Sequence, residues 1–279
     1  MQNILHKIFE IAVWVQGLIE EKAGEKQGSS MNSSGDTQKP LDIMSDILVE
    51  KHLRELSEIQ KLVSEEREEV MNLNDSGRYF VAYDPLDGSS LIDVNLSVGS
   101  IFGIYENDFA GNDIVAACYI VYGPRLEVVW ADSSGVKFFR KIGEEFVEQG
   151  IQQLQEKWKI LAPGSKHQLW PEYQKELVAE FWKDGYTLRY SGGMVPDLHQ
   201  IILKRGGLFC YPETKWNPQG KLRKLFEVFP FAYIFEQLGW DAIDNTGKRI
   251  LDNGYTKIHE SIPCYFGSNS EIKKVQQKI

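Results

Sequence analysis

The sequence is poor in cysteine and contains no cysteine motif. Its three cysteines, Cys118, Cys210 and Cys264, are far apart, and no CxxC pair occurs. An odd number of widely spaced cysteines indicates neither a disulfide framework nor a zinc ribbon. We therefore predict buried, reduced thiols in a cytoplasmic protein.

Long apolar runs and an excess of basic charge are also absent. No stretch reaches the roughly 18 apolar residues of a membrane span, and residues 1–20 lack the pattern of a signal peptide. The formal net charge of −9 argues against a nucleic-acid-binding face, which needs clustered Lys and Arg. An acidic protein that binds phosphorylated compounds must neutralise charge locally, and a bound cation would do so.

The first part of the chain reads as two helices followed by strands. Apolar residues at three- and four-residue steps predict an amphipathic helix over residues 1–20, and Gly24–Gly35 is predicted to be a loop. Pro40 is suited to the first turn of a second helix. The residues predicted to face inward from this second helix are Leu41, Met44, Ile47 and Leu48.

Strand patterns change in character near residue 150. A strand over residues 79–83 is predicted to end on the Asp84-Pro85 turn, and the strands at 101–105, 114–121, 126–130 and 136–139 are typical of antiparallel hairpins. Beyond residue 150, strands (158–161, 186–190, 208–211) alternate with helices (171–183, 195–204, 226–238), which favours an α/β lobe. We predict a mixed α/β protein with lobes at 1–150 and 151–279, a division that 279 residues allow.

The segment Asp84-Pro85-Leu86-Asp87-Gly88-Ser89-Ser90 carries the clearest chemical signal. Two carboxylates three residues apart, with the Leu86 carbonyl between them, offer the hard oxygen ligands that suit Mg²⁺ or Mn²⁺. Gly88 permits close backbone approach, and successive amides beside two hydroxyls form a concavity for phosphate oxygens. A metal site beside a phosphate site is what metal-assisted phosphoryl transfer requires.

Other acidic residues have ordinary structural explanations when each is considered alone. Asp36 lies near Asp42, which fits a first-turn carboxylate stabilised by a helix dipole. Glu65 and Glu66 begin a charge run of the kind that usually forms a solvated surface. Glu227 fits an isolated charge at a helix start.

Several segments along most of the chain carry recognisable motifs. They are Gly35-Asp36 with Leu41-Asp42, residues 62–66 (LVSEE), 83–93 (YDPLDGSSLID), 101–105 (IFGIY), 189–195 (RYSGGMV), 207–212 (GLFCYP), 220–227 (GKLRKLFE) and 266–268 (FGS). In this order they resemble the motifs of class I fructose-1,6-bisphosphatase. Asp-Pro-Leu-Asp-Gly alone would indicate only the wider lithium-sensitive phosphatase superfamily, and the motifs of the second lobe make the match more specific.

The resemblance implies a layered α-β-α-β-α fold, a homotetramer, and hydrolysis of the 1-phosphate of fructose 1,6-bisphosphate to fructose 6-phosphate and phosphate. It implies that Mg²⁺, or Mn²⁺ as a substitute, binds to Glu65, Asp84, the Leu86 carbonyl, Asp87 and Glu227. Asp36, Asp42 and Glu66 would act around the attacking water. Asp42 and Glu66 are the better candidates to accept its proton, because a neighbouring metal lowers the pKa of water.

The resemblance also divides the substrate between the lobes. The first lobe would hold the 1-phosphate beside Asp87, on Gly88, Ser89 and Ser90. The second lobe would hold the sugar and the 6-phosphate with Arg189, Tyr190, Tyr211 and Lys221. Arg189 is expected to reach in from a neighbouring subunit. Strand-face packing is the alternative interpretation of the two tyrosines.

Three departures from the family pattern concern the second phosphate and regulation. No Asn occurs at 161–165, so Ser165 or Lys166 would have to replace that contact, and Trp216 stands where a second lysine is often found. No AMP-binding stretch precedes the first helix, so we expect weak or absent AMP inhibition, although Arg78-Tyr79 resembles the basic–aromatic pair of that allosteric site.

Three alternative functions remain at this point. They are hydrolysis of sedoheptulose 1,7-bisphosphate, hydrolysis of inositol monophosphate, and non-catalytic sensing of a sugar phosphate. The acidic set argues against a sensor, which would have no use for Asp42 and Glu66.

Overall fold

A computed structural model describes residues 1–22, 30–31, 37–151 and 159–279. In these residues two large sheets alternate with helices, which confirms the predicted mixed α/β class. In this part of the chain, no helix combines the length and the apolar character needed to cross a membrane. Most of the predicted loop at Gly24–Gly35 lies outside the described residues. Trp158, where a strand was predicted to begin, also lies outside them.

We call the described residues up to 151 the first lobe and those from 159 the second lobe; the first contains an antiparallel sheet with one parallel pair. Its strand order is β10-β9-β8-β7-β6-β5-β3-β4, in which only β3 and β5 run parallel. The hairpins were predicted from their turns, whereas β10 was not. The elements are α1 (Gln2–Lys22), β1 (Ser30–Met31), β2 (Thr37–Gln38), α2 (Pro40–Leu53), β3 (Ile59–Ser64), β4 (Met71–Asn72), β5 (Tyr79–Asp87), β6 (Val98–Tyr105), β7 (Ile114–Tyr122), β8 (Leu126–Asp132), β9 (Gly135–Ile142) and β10 (Glu145–Gln149).

The second lobe contains a smaller mixed sheet. Its order is β12-β11-β13-β15-β14, with β12, β11 and β13 parallel and β15 antiparallel to both of its neighbours. The alternation of strands and helices was predicted, but β14, β15 and α6 were not. The elements are β11 (Ile160–Pro163), α3 (Glu172–Lys183), β12 (Thr187–Leu188), α4 (Met194–Leu203), β13 (Leu208–Tyr211), α5 (Phe229–Gln237), β14 (Asp241–Ile243), β15 (Cys264–Gly267) and α6 (Asn269–Gln276).

The buried residues form three apolar clusters that define the layers. One cluster joins α1 and α2 to the outer face of the first sheet. The next lies between the two sheets and contains α4 and α5, and the last joins α3 and α6 to the far face of the second sheet. Because strand side chains alternate between faces, Tyr83 packs in the outer cluster while its neighbour Ala82 packs between the sheets. The layer order is therefore α-β-α-β-α, as predicted.

The inward face of α2 differs from the prediction. Leu41 is buried, but Ile47 is 56% exposed, and Met44 and Leu48 are only half-buried. The other residues that this helix buries are Asp42, Ser45, Asp46, Val49 and Leu53. Half of the buried residues are polar, because Asp42 lines an acidic cavity and Asp46 binds Tyr83 and Arg67, so apolar residues alone did not identify the buried face.

All three cysteines are buried and unpaired. Cys118 lies in the first sheet, and Cys210 and Cys264 lie on neighbouring strands of the second. Their thiols therefore pack as small apolar groups, and burial raises the pKa of each.

Glu127 on β8 fastens α4 to the first sheet. The side chain is only 2% exposed, and its carboxylate is held at distances of 2.6 to 3.0 Å by three cationic or ring nitrogens. Its partners are Arg125, Arg140 and His199. Burial alone would raise the pKa of Glu127, but these hydrogen bonds outweigh it and lower the pKa to about 2.

Glu127→Gln is expected to destabilise the fold by about 2 kcal/mol at neutral pH, because it removes charge-assisted hydrogen bonds. Since the folded-state pKa lies below the ordinary 4.5, this contribution is present above pH 4.5 and is lost as the pH falls toward about 2. Urea unfolding of both proteins from pH 7 to pH 2.5 measures the difference. A difference that stays constant over this range, or one matched by the exposed Glu145→Gln, would contradict the assignment.

Candidate active site

The segment singled out from the sequence continues a strand instead of following one. We predicted that the strand ends before Asp84, but β5 runs to Asp87, and all nine of its residues are buried. The register shifts within it, since Asp84 lies opposite Ile101 and Asp87 lies opposite Gly99. The extra residue forms a β-bulge, which re-aims the side chains that flank it. The Ser100 hydroxyl donates to the Pro85 carbonyl at 2.7 Å and holds the bulge in place.

Three buried carboxylates meet at this bulge. One oxygen from each of Asp84, Asp87 and Glu227 lies within 4.8 Å of the others. Glu227 comes from a π-helical segment, Lys224–Val228, directly before α5. The cluster therefore combines residues from both lobes.

Backbone amides fix the orientation of each carboxylate in the cluster. The Leu86 amide donates to Asp84 Oδ1 at 2.8 Å, and the Arg223 amide donates to Glu227 Oε2 at 2.6 Å. Asp87 accepts hydrogen bonds from the amides of Met194 and Val195, at 3.3 and 2.7 Å, where α4 begins. A helix N-terminus favours negative charge, so α4 positions a carboxylate of the other lobe.

The pKa values of these buried carboxylates are raised, as expected where a bound cation would stabilise the ionised forms. Burial is the main cause that raises the pKa of Asp84 and Glu227 well above the ordinary range, and neighbouring carboxylates, Glu65 among them, raise both further. Burial likewise raises the pKa of Asp87 to about 6, although its two amide donors oppose the shift. A divalent cation would compensate these charges, and an all-oxygen donor set suits Mg²⁺ or Mn²⁺. The residues present therefore fit such an ion.

Two other predicted ligands lie at the same cavity. Leu86 lines it, and so does Glu65, whose carboxylate is 3.8 Å from Nε of Arg223. Glu65 is near enough to raise the pKa of Asp84, although its oxygens are not part of the tight three-residue cluster.

The turn predicted to hold phosphate borders the carboxylates. The cavity has a volume of about 320 Å³, and Gly88, Ser89 and Ser90 line it. Gly88 has φ +77°, and a Cβ atom there would lie 3.3 Å from the Gly193 Cα. This position therefore favours glycine twice, through its backbone angle and through its contact with the second lobe.

The candidate bases do not all lie within the described chain. Asp42 is buried on α2, where Oδ2 accepts a hydrogen bond from the Lys39 amide at 2.7 Å. Its Oδ1 is buried and accepts no hydrogen bond from the described residues. Burial raises the pKa of Asp42. Glu66 also lines the cavity, whereas Asp36 lies outside the described residues.

The second lobe contributes the opposite wall. Tyr190, Tyr211 and Lys221 line the cavity, so the two tyrosines are not simply packed in a strand face. Arg189 is exposed and is not among the lining residues. Ser165, one candidate to replace the missing Asn, has φ +72°. Lys166, the other, places Nζ 5.8 Å from the ring of Trp216.

Sequence reasoning missed one charged residue of the cavity. Arg223 lines it, with its side chain near Glu65 and its amide on Glu227. The residue stands inside a matching motif, two positions after Lys221, but nothing in that spacing assigns it a role. The amides of Met194 and Val195 were not predicted either, because a sequence does not show which backbone amides donate to a given side chain.

A buried carboxylate cluster beside the turn of Gly88, Ser89 and Ser90 is the arrangement expected of a metal-dependent phosphatase. Comparison with known proteins narrows this class. The family model described as fructose-1-6-bisphosphatase, N-terminal domain, matches residues 12–147, and that described as the C-terminal domain matches residues 154–279. The chain belongs to the fructose-1,6-bisphosphatase family.

Curated relatives and solved structures agree with this assignment. Fructose-1,6-bisphosphatase class 1 of Campylobacter curvus is 47% identical over 98% of this chain and 93% of the relative. That of Helicobacter hepaticus is 44% identical over 98% of both chains. The holo crystal structure of Leishmania major fructose-1,6-bisphosphatase matches with a TM-score of 0.91 and 32% identity, covering 99% of this chain and 93% of the other. A putative sedoheptulose-1,7 bisphosphatase from Toxoplasma gondii matches with a TM-score of 0.89 and 28% identity over the same shares.

Metal binding is expected to stabilise the protein more at high pH than at low pH. Because the folded-state pKa of Asp87 is raised to about 6 from 3.8, the metal-free protein loses stability as the pH rises through this range. An ion that binds the ionised form offsets that loss. Thermal unfolding with and without 5 mM MgCl₂ or MnCl₂ should show a larger stabilisation at pH 8 than at pH 5. An equal shift at both values, or the same shift in Asp87→Asn, would contradict this interpretation.

Proposed function

We propose that this protein hydrolyses the 1-phosphate of fructose 1,6-bisphosphate in a Mg²⁺-dependent reaction that yields fructose 6-phosphate and phosphate. The observation that carries the proposal is the cluster of Asp84, Asp87 and Glu227 beside the Gly88 turn. Membership of the family supports the choice of substrate, since its curated relatives bear this enzyme's name. Mn²⁺ is the expected substitute, because its ligand preference is the same.

The chain's own residues would bind the reacting phosphate and direct the attack on it. The amides and hydroxyls of Gly88, Ser89 and Ser90 would hold the phosphate oxygens next to the carboxylates. Asp42, whose Oδ1 is buried, would accept the proton of the attacking water, with Glu66 and Asp36 as the other proposed participants. The bound metal would supply charge neutralisation at the phosphate and lower the pKa of water.

In this proposal the two lobes bind different parts of the substrate. Residues 1–150 would bind metal and the 1-phosphate, with Glu65 and the Leu86 carbonyl completing the ligand set. Residues 151–279 would bind the sugar and the 6-phosphate. Tyr190 and Tyr211 support this role because both line the cavity, and Lys221 supplies a cation to it.

Sedoheptulose 1,7-bisphosphate is the second candidate substrate. The structural similarity to the Toxoplasma gondii protein supports it, and one additional carbon leaves the metal end of the site unchanged. Inositol monophosphate would make no use of Lys221 and the tyrosines, and a sensor would make no use of Asp42.

Phosphate release from these three substrates tests the proposal. We expect Mg²⁺-dependent release from fructose 1,6-bisphosphate to be fastest, and Asp87→Ala to lower it by at least about a hundredfold, because a metal ligand contributes several kcal/mol. Asp241→Ala, an exposed aspartate on a strand, is the control. A preference for inositol 1-phosphate would select the monophosphatase, and no release from any sugar bisphosphate would favour the sensor.

Lys221→Ala is expected to raise KM for fructose 1,6-bisphosphate by about tenfold or more, since a charge-assisted contact contributes about 1.5–3 kcal/mol. kcat should change less than KM, because a contact to the distal phosphate is made equally in the bound substrate and in the transition state. Steady-state kinetics separate the two constants. An unchanged KM would show that Lys221 does not bind the distal phosphate.

We also propose a homotetramer in which Arg189 enters the site of a neighbouring subunit. Two observations support this arrangement. Arg189 is exposed, as is the adjacent Leu188 at 55%, and Arg189 is not among the described residues that line the cavity of its own subunit. We also propose that AMP inhibits the enzyme weakly or not at all, and that the protein is cytoplasmic. Buried, unpaired cysteines support that compartment.

Mixing two defective proteins tests the shared site. Arg189→Ala should raise KM, and Asp87→Ala should be inactive. If Arg189 crosses the interface, subunits exchanged between them will form sites with an intact metal cluster and an intact Arg189. The mixture should then recover wild-type KM in a fraction of sites. A mixture that keeps the high KM of Arg189→Ala alone would place the residue in its own subunit's site or in none.

A further inference from the structure

A second charge cluster, centred on one buried carboxylate, lies beside the cavity and contacts none of the proposed substrate groups. Asp46 on α2 is 4% exposed and accepts two hydrogen bonds, one on each carboxylate oxygen. The Tyr83 hydroxyl donates to Oδ1 at 2.7 Å, and Nε of Arg67 donates to Oδ2 at 2.7 Å. Arg67 also pairs with Glu50, one turn further along α2.

Each member of this cluster lies next to a residue of the proposed site. Tyr83 directly precedes Asp84 on β5, and Arg67 directly follows Glu66. Asp46 lies four residues after Asp42, on the same face of α2. A single buried carboxylate thus connects the three elements that carry the first-lobe acids.

The turn that carries Glu65 and Glu66 is held at its backbone as well. The Glu65 amide donates to the Tyr83 carbonyl at 3.0 Å, and the Glu66 amide donates to the Ser64 hydroxyl at 3.2 Å. From the second lobe, Nε2 of His259 donates to the Arg67 carbonyl at 2.8 Å. Arg67 is therefore the point where side-chain and inter-lobe contacts to this turn converge.

We propose that Asp46 and Arg67 are positioning residues whose charge pair holds the Glu65–Glu66 turn and Asp84 in the geometry that binds the metal. They act through these neighbours and do not touch the ion or the substrate. The inference rests on the proposed metal-dependent function. It goes beyond that function in assigning part of the metal affinity to a pair outside the ligand set. Loss of a residue that orients metal ligands typically lowers metal affinity by 10- to 100-fold.

Arg54 provides a matched control. Its guanidinium contacts Glu50 and lies 3.4 Å from Sδ of Met71, while that of Arg67 contacts the same Glu50 and lies 3.6 Å from the same sulfur. Arg54 differs in having no hydrogen bond to Asp46 and no place in the acidic turn. Substitution at the two positions thus separates general loss of an α2 ion pair from loss of positioning.

The experiment measures Mn²⁺ binding to the whole protein from the electron paramagnetic resonance signal of free Mn²⁺, alongside thermal unfolding. We expect Arg67→Gln and Asp46→Asn to weaken Mn²⁺ binding by about tenfold or more. Arg67→Lys, which keeps the charge, should recover part of it, and Arg54→Gln should leave it unchanged. The concentration of Mg²⁺ that half-saturates phosphate release should rise in parallel.

Equal Mn²⁺ affinity in Arg67→Gln, Asp46→Asn and wild type, even with lower thermal stability, would overturn the proposal and leave the pair a purely structural role. Equal weakening in Arg54→Gln would overturn it too. If Arg67→Gln does not fold, Asp46→Asn decides alone, since it keeps the shape and the acceptor for Tyr83. A wild-type protein that binds Mn²⁺ but releases no phosphate would contradict the proposed function and not this inference.

Discussion

The structure depends on holding three carboxylates together in a buried space. Like charges in such a place repel each other and lose hydration, which is why the pKa values of Asp84, Asp87 and Glu227 rise. The bulge in β5, the amide ends of α4 and the π-helical turn each place one carboxylate and give it backbone donors. The amide donors oppose the rise in pKa without cancelling it, so a bound cation would further stabilise the ionised cluster.

Much of the architecture could be predicted from local pattern. Glycine and proline between short apolar runs indicated the hairpins of the first lobe, and alternating strand and helix patterns indicated the second. The errors lie where tertiary contacts override local signals. Asp84-Pro85 reads as a turn, yet pairing with β6 carries the strand to Asp87. The apolar residues of α2 suggested one buried face, yet Asp42 and Asp46 are buried as well, because a backbone amide binds Asp42 and Arg67 binds Asp46.

The site could be predicted in its chemistry but not in its contacts. Asp84–Ser90 indicated metal and phosphate by residue type alone, whereas selecting Glu227 required the resemblance to a known family. Nothing in the sequence links Asp46 to Arg67, which lie 21 residues apart and meet because α2 packs against β3 and β5, and Arg67 lies in the turn that follows β3. The amides that hold Asp87 depend on where α4 begins, 107 residues further along the chain.

That last contact has a thermodynamic consequence. Asp87 belongs to the first lobe and its amide donors to the second, so cation binding and the seating of α4 would be linked if displacing α4 lowers cation affinity. In that case a molecule that binds better when α4 is displaced would weaken cation binding, and the cation would weaken that molecule's binding by the same factor. Through the Asp87–Val195 hydrogen bond, cation affinity would then depend on how the two lobes are aligned, whichever ligand changes that alignment.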